Sequence, residues 1–164
     1  MINYKHGNIQ NLHQLNSLGF VKASENVVAG MVVSLDSTTG EVVRGAPADK
    51  LAGFAMNTQP IDITVVSPTV FTDNESPITG DGDVIATGKI GIFHSNEAVV
   101  ETNVSAVTIT AGNYPVGAPV YAAVGASVGY ITNSSASSAR KIGTVYGIGT
   151  IRGKAVVAVK LDLQ

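Results

Sequence analysis

Cysteine and tryptophan are absent from the 164 residues, and charged side chains are scarce. Without cysteine there is no thiolate for zinc, no disulfide framework, no redox couple and no thiol nucleophile. Charged residues make up 13% of the chain, where about 25% is usual. Net charge is −2 and no run of Lys or Arg occurs. Phosphate backbones therefore find no cluster of cations, and no nucleic-acid partner is expected. Aromatic residues at 5% leave few rings to stack on sugars, which weakens a carbohydrate-binding reading. No apolar run approaches the roughly 20 residues of a membrane-spanning helix. Met1–Phe20 lacks the apolar core of a secretion signal. A soluble chain without signal or anchor is expected, with no membrane partner.

What the chain has in quantity is glycine, 18 residues, and a hydrophobic share of 45%. The length suits one domain large enough to bury a core without disulfides. A surface poor in charge has two readings: an ordinary β-rich domain, or a domain partly covered by neighbouring subunits, since interface cores are depleted in charge.

The pattern is β. In Tyr114–Leu163 the short β-branched and aromatic runs Val120–Val124, Val128–Thr132, Ile142–Ile148 and Ala155–Leu163 alternate with Gly and Ser clusters. Lys154–Leu163 reads as a strand with one buried face that closes a barrel or sandwich. Upstream, Met31–Leu35 and Glu41–Arg44 flank Asp36–Gly40 as a hairpin. Leu51–Met56, Ile61–Val66, Val84–Thr87, Lys89–Phe93, Ala98–Glu101 and Val107–Thr110 continue the strands. Pro60, Pro68 and Pro77 bracket a long polar excursion, Ser67–Asp83. The fold expected is all-β, one small β-barrel or β-sandwich-like domain over residues 25–164, preceded by an N-terminal arm over residues 1–24.

That arm differs in composition, being rich in Asn, Gln and His. Ile9, Leu12, Leu15 and Leu18 recur every third residue, as along one side of a short helix or 3₁₀ turn bounded by Gly7 and Gly19. Such a stripe can cap the domain's own core or order against a partner. We take these four residues as contact anchors of an arm, because terminal segments stay loose until a surface ties them down.

The motifs that suggest chemistry each have a plainer reading. Gly125-Ala126-Ser127-Val128-Gly129 matches a nucleophile elbow, which needs a strand-to-helix turn and a later His. Here a strand and turn follow, and no His occurs after His94. Gly147, Gly149 and Gly153 lack phosphate-loop spacing and read as turn glycines. Asp73, Asn74, Glu75, Asp81 and Asp83 crowd the excursion, where a solvated loop is the first reading and a weak Ca²⁺ site the second. His6, His13 and His94 are scattered, without zinc-site spacing. No catalytic residue, metal ligand or cofactor is expected, and the chain is read as not an enzyme.

A faint internal echo is present. Ala29–Val33 and then Gly53 resemble Val116–Val120 and then Gly143; Gly30 to Gly53 is 23 residues and Gly117 to Gly143 is 26. The echo marks either two copies of a strand, hairpin and strand unit or coincidence in a glycine-rich chain.

Taken in order, Ala29–Leu35, Leu51–Met56, Ala86–Phe93, Tyr114–Tyr121 and Lys141–Val145 resemble the tailed-phage capsid decoration, or structural cement, proteins. The resemblance spans about Ala23 to Leu163. It implies a small β-barrel-like domain on the outer surface of the virion capsid, assembled in the host cytoplasm. Its implied partners are the major capsid protein, at junctions between its subunits, and neighbouring copies of itself, as a homotrimer or alternatively a dimer. It implies that the domain braces the head against DNA pressure and that the N-terminal arm reaches a neighbour. The other structural reading is a head-fibre base, tail-tube or adhesion component.

Overall fold

The computed structural model describes residues 2–4, 16–22, 25–47, 52–56, 89–94 and 96–163. Among the described residues eleven strands occur in chain order: β1 (Ile2–Tyr4), β2 (Asn16–Phe20), β3 (Val32–Leu35), β4 (Val42–Arg44), β5 (Ala52–Ala55), β6 (Lys89–Phe93), β7 (Val99–Thr102), β8 (Pro119–Ala123), β9 (Ile131–Thr132), β10 (Ser138–Ile151) and β11 (Lys154–Leu161). They form two antiparallel sheets, ordered β1-β7-β11-β10-β8-β9 and β2-β6-β5-β3-β4. The protein is all-β. Its only helical turns among the described residues are 3₁₀, at Gly125–Ser127 and Ser135–Ser137.

The two sheets are one design used twice. Without β1, the first order reads β7-β11-β10-β8-β9, which is the second order, β2-β6-β5-β3-β4, with every strand replaced by its counterpart. Register agrees as well. Val33 pairs with Gly53 as Val120 pairs with Gly143, and Val32 with Phe54 as Pro119 with Thr144. In each unit the second strand is preceded by a turn, Val28–Met31 or Pro115–Ala118, closed by a 3.0 Å bond from its fourth N–H to its first carbonyl. The third residue is a glycine at φ 90° or 83°, as a type II turn requires. Gly30 N–H then donates to Ala55 O, and Gly117 N–H to Val145 O, both at 2.8 Å. Single parallel bridges, Val21 to Val42 and Ser105 to Ile131, curl each sheet back without a ladder that closes a barrel. So the echo in the sequence is a structural repeat.

Packing follows from the repeat. Val33, Val42, Ala55, Ile90 and Ile92 form a core with Val27 and Met31, and their counterparts Val120, Ile131, Val145, Val157 and Val159 lie together in a second core. That second core also takes in Val32, Phe54 and Phe93, from the opposite face of the first sheet. The units thus stack through unlike faces. The equivalent positions on the second unit are Pro119, Thr144 and Lys160, none of them buried. A polar outer face there ends the stacking, as capping units do in repeat proteins.

Several expectations change. Gly19 and Leu18 belong to β2, paired with β6 from Asn16↔Phe93 to Phe20↔Lys89, so the turn expected along the threefold stripe ends in a strand. Pairing with β6 overrides a local period. Residues 1–24 also give β1 to the edge of β7, through Ile2↔Thr102, Asn3↔Glu101 and Tyr4↔Val100. β11 does not close a barrel but lies between β7 and β10, and Val156–Val159 are buried on both faces. Val107–Thr110 is no strand: Val107 and Ile109 pack on the core while Ala106, Thr108 and Thr110 are exposed. The alternation is real, but the segment has no ladder partner among the described residues. Ile61–Val66, Ser67–Asp83 and Val84–Thr87 lie outside the described residues, in the connection between β5 and β6.

The hairpin of β3 and β4 forms as expected. Asp36 Oδ1 accepts from Thr38 N–H at 2.8 Å and Thr39 N–H at 3.2 Å, and Oδ2 meets Lys22 Nζ at 2.9 Å. The Lys22 bond, then these two backbone donors, hold the Asp36 carboxyl well below its ordinary 3.8. A depressed folded value means that this contribution is complete above 3.8 and is lost as pH falls from there through the folded value. Asp36→Asn is therefore expected to lower thermal stability at neutral pH, with the gap to the native chain narrowing below about pH 4. Melts at stepped pH read this directly; a gap that widens in acid contradicts it.

Candidate contact surface

Among the described residues, the large exposed apolar side chains, Val116, Val124, Tyr130, Tyr146 and Ile148, all belong to the second unit. Val116, 75% exposed, occupies the second position of the Pro115–Ala118 turn. That turn is tied to β10 by Gly117 N–H to Val145 O and Val145 N–H to Ala118 O, both 2.8 Å. Directly afterwards β10 bulges, its register to β11 shifting between Val145 and Gly147. Tyr146 and Ile148 follow, 51% and 38% exposed. β8 stops pairing with β10 at Thr144, and β7 pairs with β11 only from Val157 onward. Among the described residues, Gly147–Ala155 is therefore a two-stranded ribbon paired only with itself, turned by Arg152 and Gly153 at φ 50° and 77°.

Charges sit around this surface in local pairs. Lys160 Nζ meets Glu97 Oε2, and Lys141 Nζ meets Asp162 Oδ2 at 3.1 Å. The Glu97 bond raises the Lys160 ammonium above its ordinary value. Arg44 Nε donates to Glu25 Oε2 at 2.7 Å and ties β4 to the segment before the first unit's turn. Such exposed pairs stabilise little and locate charge more than they hold the fold.

The residues singled out in the sequence fall apart in space or outside view. Leu18 lies on β2, while Ile9, Leu12 and Leu15 lie outside the described residues, as do Asp73, Asn74, Glu75, Asp81, Asp83, His6 and His13. Ser127 sits on a 3₁₀ turn between β8 and β9, with Val128 N–H bonded to Gly125 O and Tyr130 N–H to Ser127 O. It lacks the strand-to-helix setting that lifts a nucleophile. Gly147 and Gly149 are strand residues of β10, and only Gly153 turns the chain. No group of three or more His, Asp or Glu positioned for a metal occurs among the described residues.

Comparison of the chain with protein-family models, curated proteins and solved structures finds no match. The functional reading rests on residues and geometry. What that geometry offers is contact: apolar side chains on a ribbon and a turn, in a chain poor in charge. Sequence reading passed over Val116, Tyr146 and Ile148. The signal for the last two was the run Tyr146-Gly147-Ile148-Gly149, in which large apolar residues stand among glycines.

Proposed function

We propose that this chain is a structural capsid decoration (cement) subunit that binds the outside of a mature phage head and braces it. The observation that carries the reading is where the motifs of the resemblance fall. Ala29–Leu35 and Tyr114–Tyr121 supply the paired glycine turns with β3 and β8, and Ala52–Met56 and Lys141–Val145 supply the strands whose glycines lie opposite them. Lys89–Phe93 is the strand that packs against Gly53. The short glycine motifs are thus the places where the backbone of a repeated unit needs glycine, which ties the resemblance to architecture. A weakly charged domain with exposed apolar side chains suits many modest contacts to a lattice, which reinforce one another by multivalency. Its partners are the major capsid protein, where subunits meet, and neighbouring copies of itself.

The test is co-sedimentation of the purified chain with expanded, undecorated heads and separately with unexpanded proheads, followed by imaging. Binding to expanded heads at regular lattice positions is expected. Binding to neither moves the assignment to tails or fibres.

Within this reading Ile9, Leu12 and Leu15 remain arm anchors. Removing all of Met1–Phe20 would also remove β1 and β2, so substitution is the cleaner probe. The triple change of Ile9, Leu12 and Leu15 to Ser is expected to leave the melting temperature within a few degrees, since these residues flank the strands, and to cut head affinity about tenfold or more. Full affinity in the triple variant removes the arm from the contact.

A further inference from the structure

Charge is unevenly placed along the chain. Thr102–Leu161 holds Arg140, Lys141, Arg152, Lys154 and Lys160 and no Asp or Glu, although the whole chain carries −2. Lys160 reaches back to Glu97, Lys141 reaches forward to Asp162, and Arg140 Nη1 donates to Pro47 O at 3.3 Å. Arg152 and Lys154 remain. No carboxylate among the described residues pairs with either, and both are exposed at the end of the β10–β11 ribbon. Ile151 pairs with Lys154, so Arg152 and Gly153 form a two-residue turn with positive φ at both positions. Such a turn favours Asn or Gly at its first position, because left-handed backbone crowds the Cβ of other residues. Among the described residues one other non-glycine residue has positive φ, Glu97 at 66°. Glu97 has its partner within the chain, in Lys160. Arg152 holds the same costly conformation without one.

We propose that the tip of this ribbon is a docking element for a protein surface that offers carboxylates beside an apolar floor. Arg152 and Lys154 supply the charge for that partner. Register places Ile148 opposite Val157 and Thr150 opposite Ala155, so Ile148, Thr150 and Ala155 share the face that continues from the core at Val157, and all three are exposed. That face carries no charge. An uncharged face that ends in two unpartnered cations is matched by an apolar floor with acids at one side, where planar guanidinium–carboxylate pairing fixes orientation. The ribbon also holds its own shape, since β10 and β11 pair from Gly147↔Ala158 to Ile151↔Lys154, and little ordering is needed on contact. Nucleic acid is a poorer match, because phosphate binding needs a cluster of cations and the other cations of this stretch are already engaged. Element and chemistry are the same whether or not the partner belongs to a phage head.

The test uses the full chain, isotopically labelled for amide resonances, with a short peptide of Glu-Glu-Leu repeats as the probe and a Gln-Gln-Leu repeat as the neutral control. Amide shifts confined to Gly149–Ala155 are expected with the Glu peptide and not with the Gln peptide, and they fade as salt is raised. Arg152→Asn separates contact from fold. Asn suits left-handed backbone, so this variant is expected to melt about 1–3 °C above the native chain while its affinity for the Glu peptide falls about threefold. Arg152→Glu combined with Lys154→Glu is expected to abolish the shifts and leave the far-ultraviolet circular dichroism unchanged. Absence of ribbon shifts overturns the proposal. So do shifts spread equally over Lys22, Arg44 and Lys141, or full affinity in Arg152→Asn. Phosphatidylglycerol vesicles and duplex DNA run beside the peptide, and tighter binding of either at the ribbon assigns it to a membrane or to nucleic acid and overturns the protein partner. None of these readouts involves phage heads, so their failure is separable from failure of the decoration reading.

Discussion

Gly143→Ala is expected to destabilise the protein by about 3 kcal/mol or more, and to lower its melting temperature by roughly 6–12 °C. Gly143 lies in β10 between two partners, Val120 on one side and Leu161 on the other. A Cβ there would collide with the Lys160 carbonyl oxygen and stand 2.8 Å from Val159 Cγ1. The first obstacle is backbone, fixed by the ladder to β11, so relief requires the central strands of the sheet to part. The repeat makes this prediction double. Gly53 occupies the same place in the other unit, where a Cβ would lie 2.5 Å from Phe93 O and 2.7 Å from Ile92 Cγ2. Gly53→Ala should therefore cost a similar amount, by the same collision with a carbonyl and a branched methyl. Gly147→Ala is the control, because its Cβ meets nothing within 4 Å. A change within about 0.5 kcal/mol is expected there. Thermal unfolding of the three variants decides the matter, and equal melting temperatures at 143 and 147 would refute the close register.

Those glycines also show how far the sequence could be read. The hairpin at Asp36–Gly40 was legible because its polar turn residues sit between two β-branched runs, and turn chemistry acts locally. Glycines at 30, 53, 117 and 143 were visible as an echo, but composition alone could not separate a repeat from coincidence. Their shared strand order and register are what distinguish the two. Elsewhere the local signal was sound and the inference from it was not. Val107–Thr110 alternates as a strand does, because it lies extended over the core, yet a strand needs a partner that no local pattern specifies. Asn16–Phe20 shows the converse, since Leu18 ends a stripe that suits a helical period and pairing with β6 makes this segment a strand. β11 reads in sequence as a strand with one buried face that closes a barrel or sandwich, because Lys160 and Asp162 interrupt its apolar run. It is a central strand, and Lys160 reaches Glu97 on the outer face.

The candidate surface was less legible than the fold, for a physical reason. Burial leaves a periodic trace in sequence, whereas contact with another molecule leaves only an absence: apolar residues with no partner. Val116 and Ile148 look like core residues in the sequence, and their exposure appears only when β8 is seen to end its pairing at Thr144. The arm anchors were chosen by the opposite route, from a periodic stripe, and Leu18 then proved to lie on a strand.

Tyr114→Ala is expected to cost about 3–5 kcal/mol, the range for truncating a large buried ring. Among the described residues Tyr114 is the largest fully buried side chain, 1% exposed, set in the core of the second unit. It also anchors the irregular segment between β7 and β8. Its hydroxyl lies 2.6 Å from Ser105 Oγ. Ser105 Oγ is 2.7 Å from Val107 O, which can only accept, so the single Ser105 proton goes there and the tyrosine hydroxyl is the donor to Ser105. Ser105 in turn bridges Ile131 and holds the crossing that curls the sheet. Tyr114→Phe keeps the ring and removes only this donor, so a smaller loss of about 1–2 kcal/mol is expected. Burial raises the Tyr114 phenol above its ordinary 10.0, against the opposing effect of the Ser105 bond. A raised folded value means that the buried neutral phenol supports the fold fully below 10.0 and loses that support as pH rises through the folded value. The stability gap between the native chain and Tyr114→Phe should therefore narrow above about pH 10. Denaturant titrations at neutral and alkaline pH separate the two contributions, because loss of packing alone would leave the gap unchanged with pH.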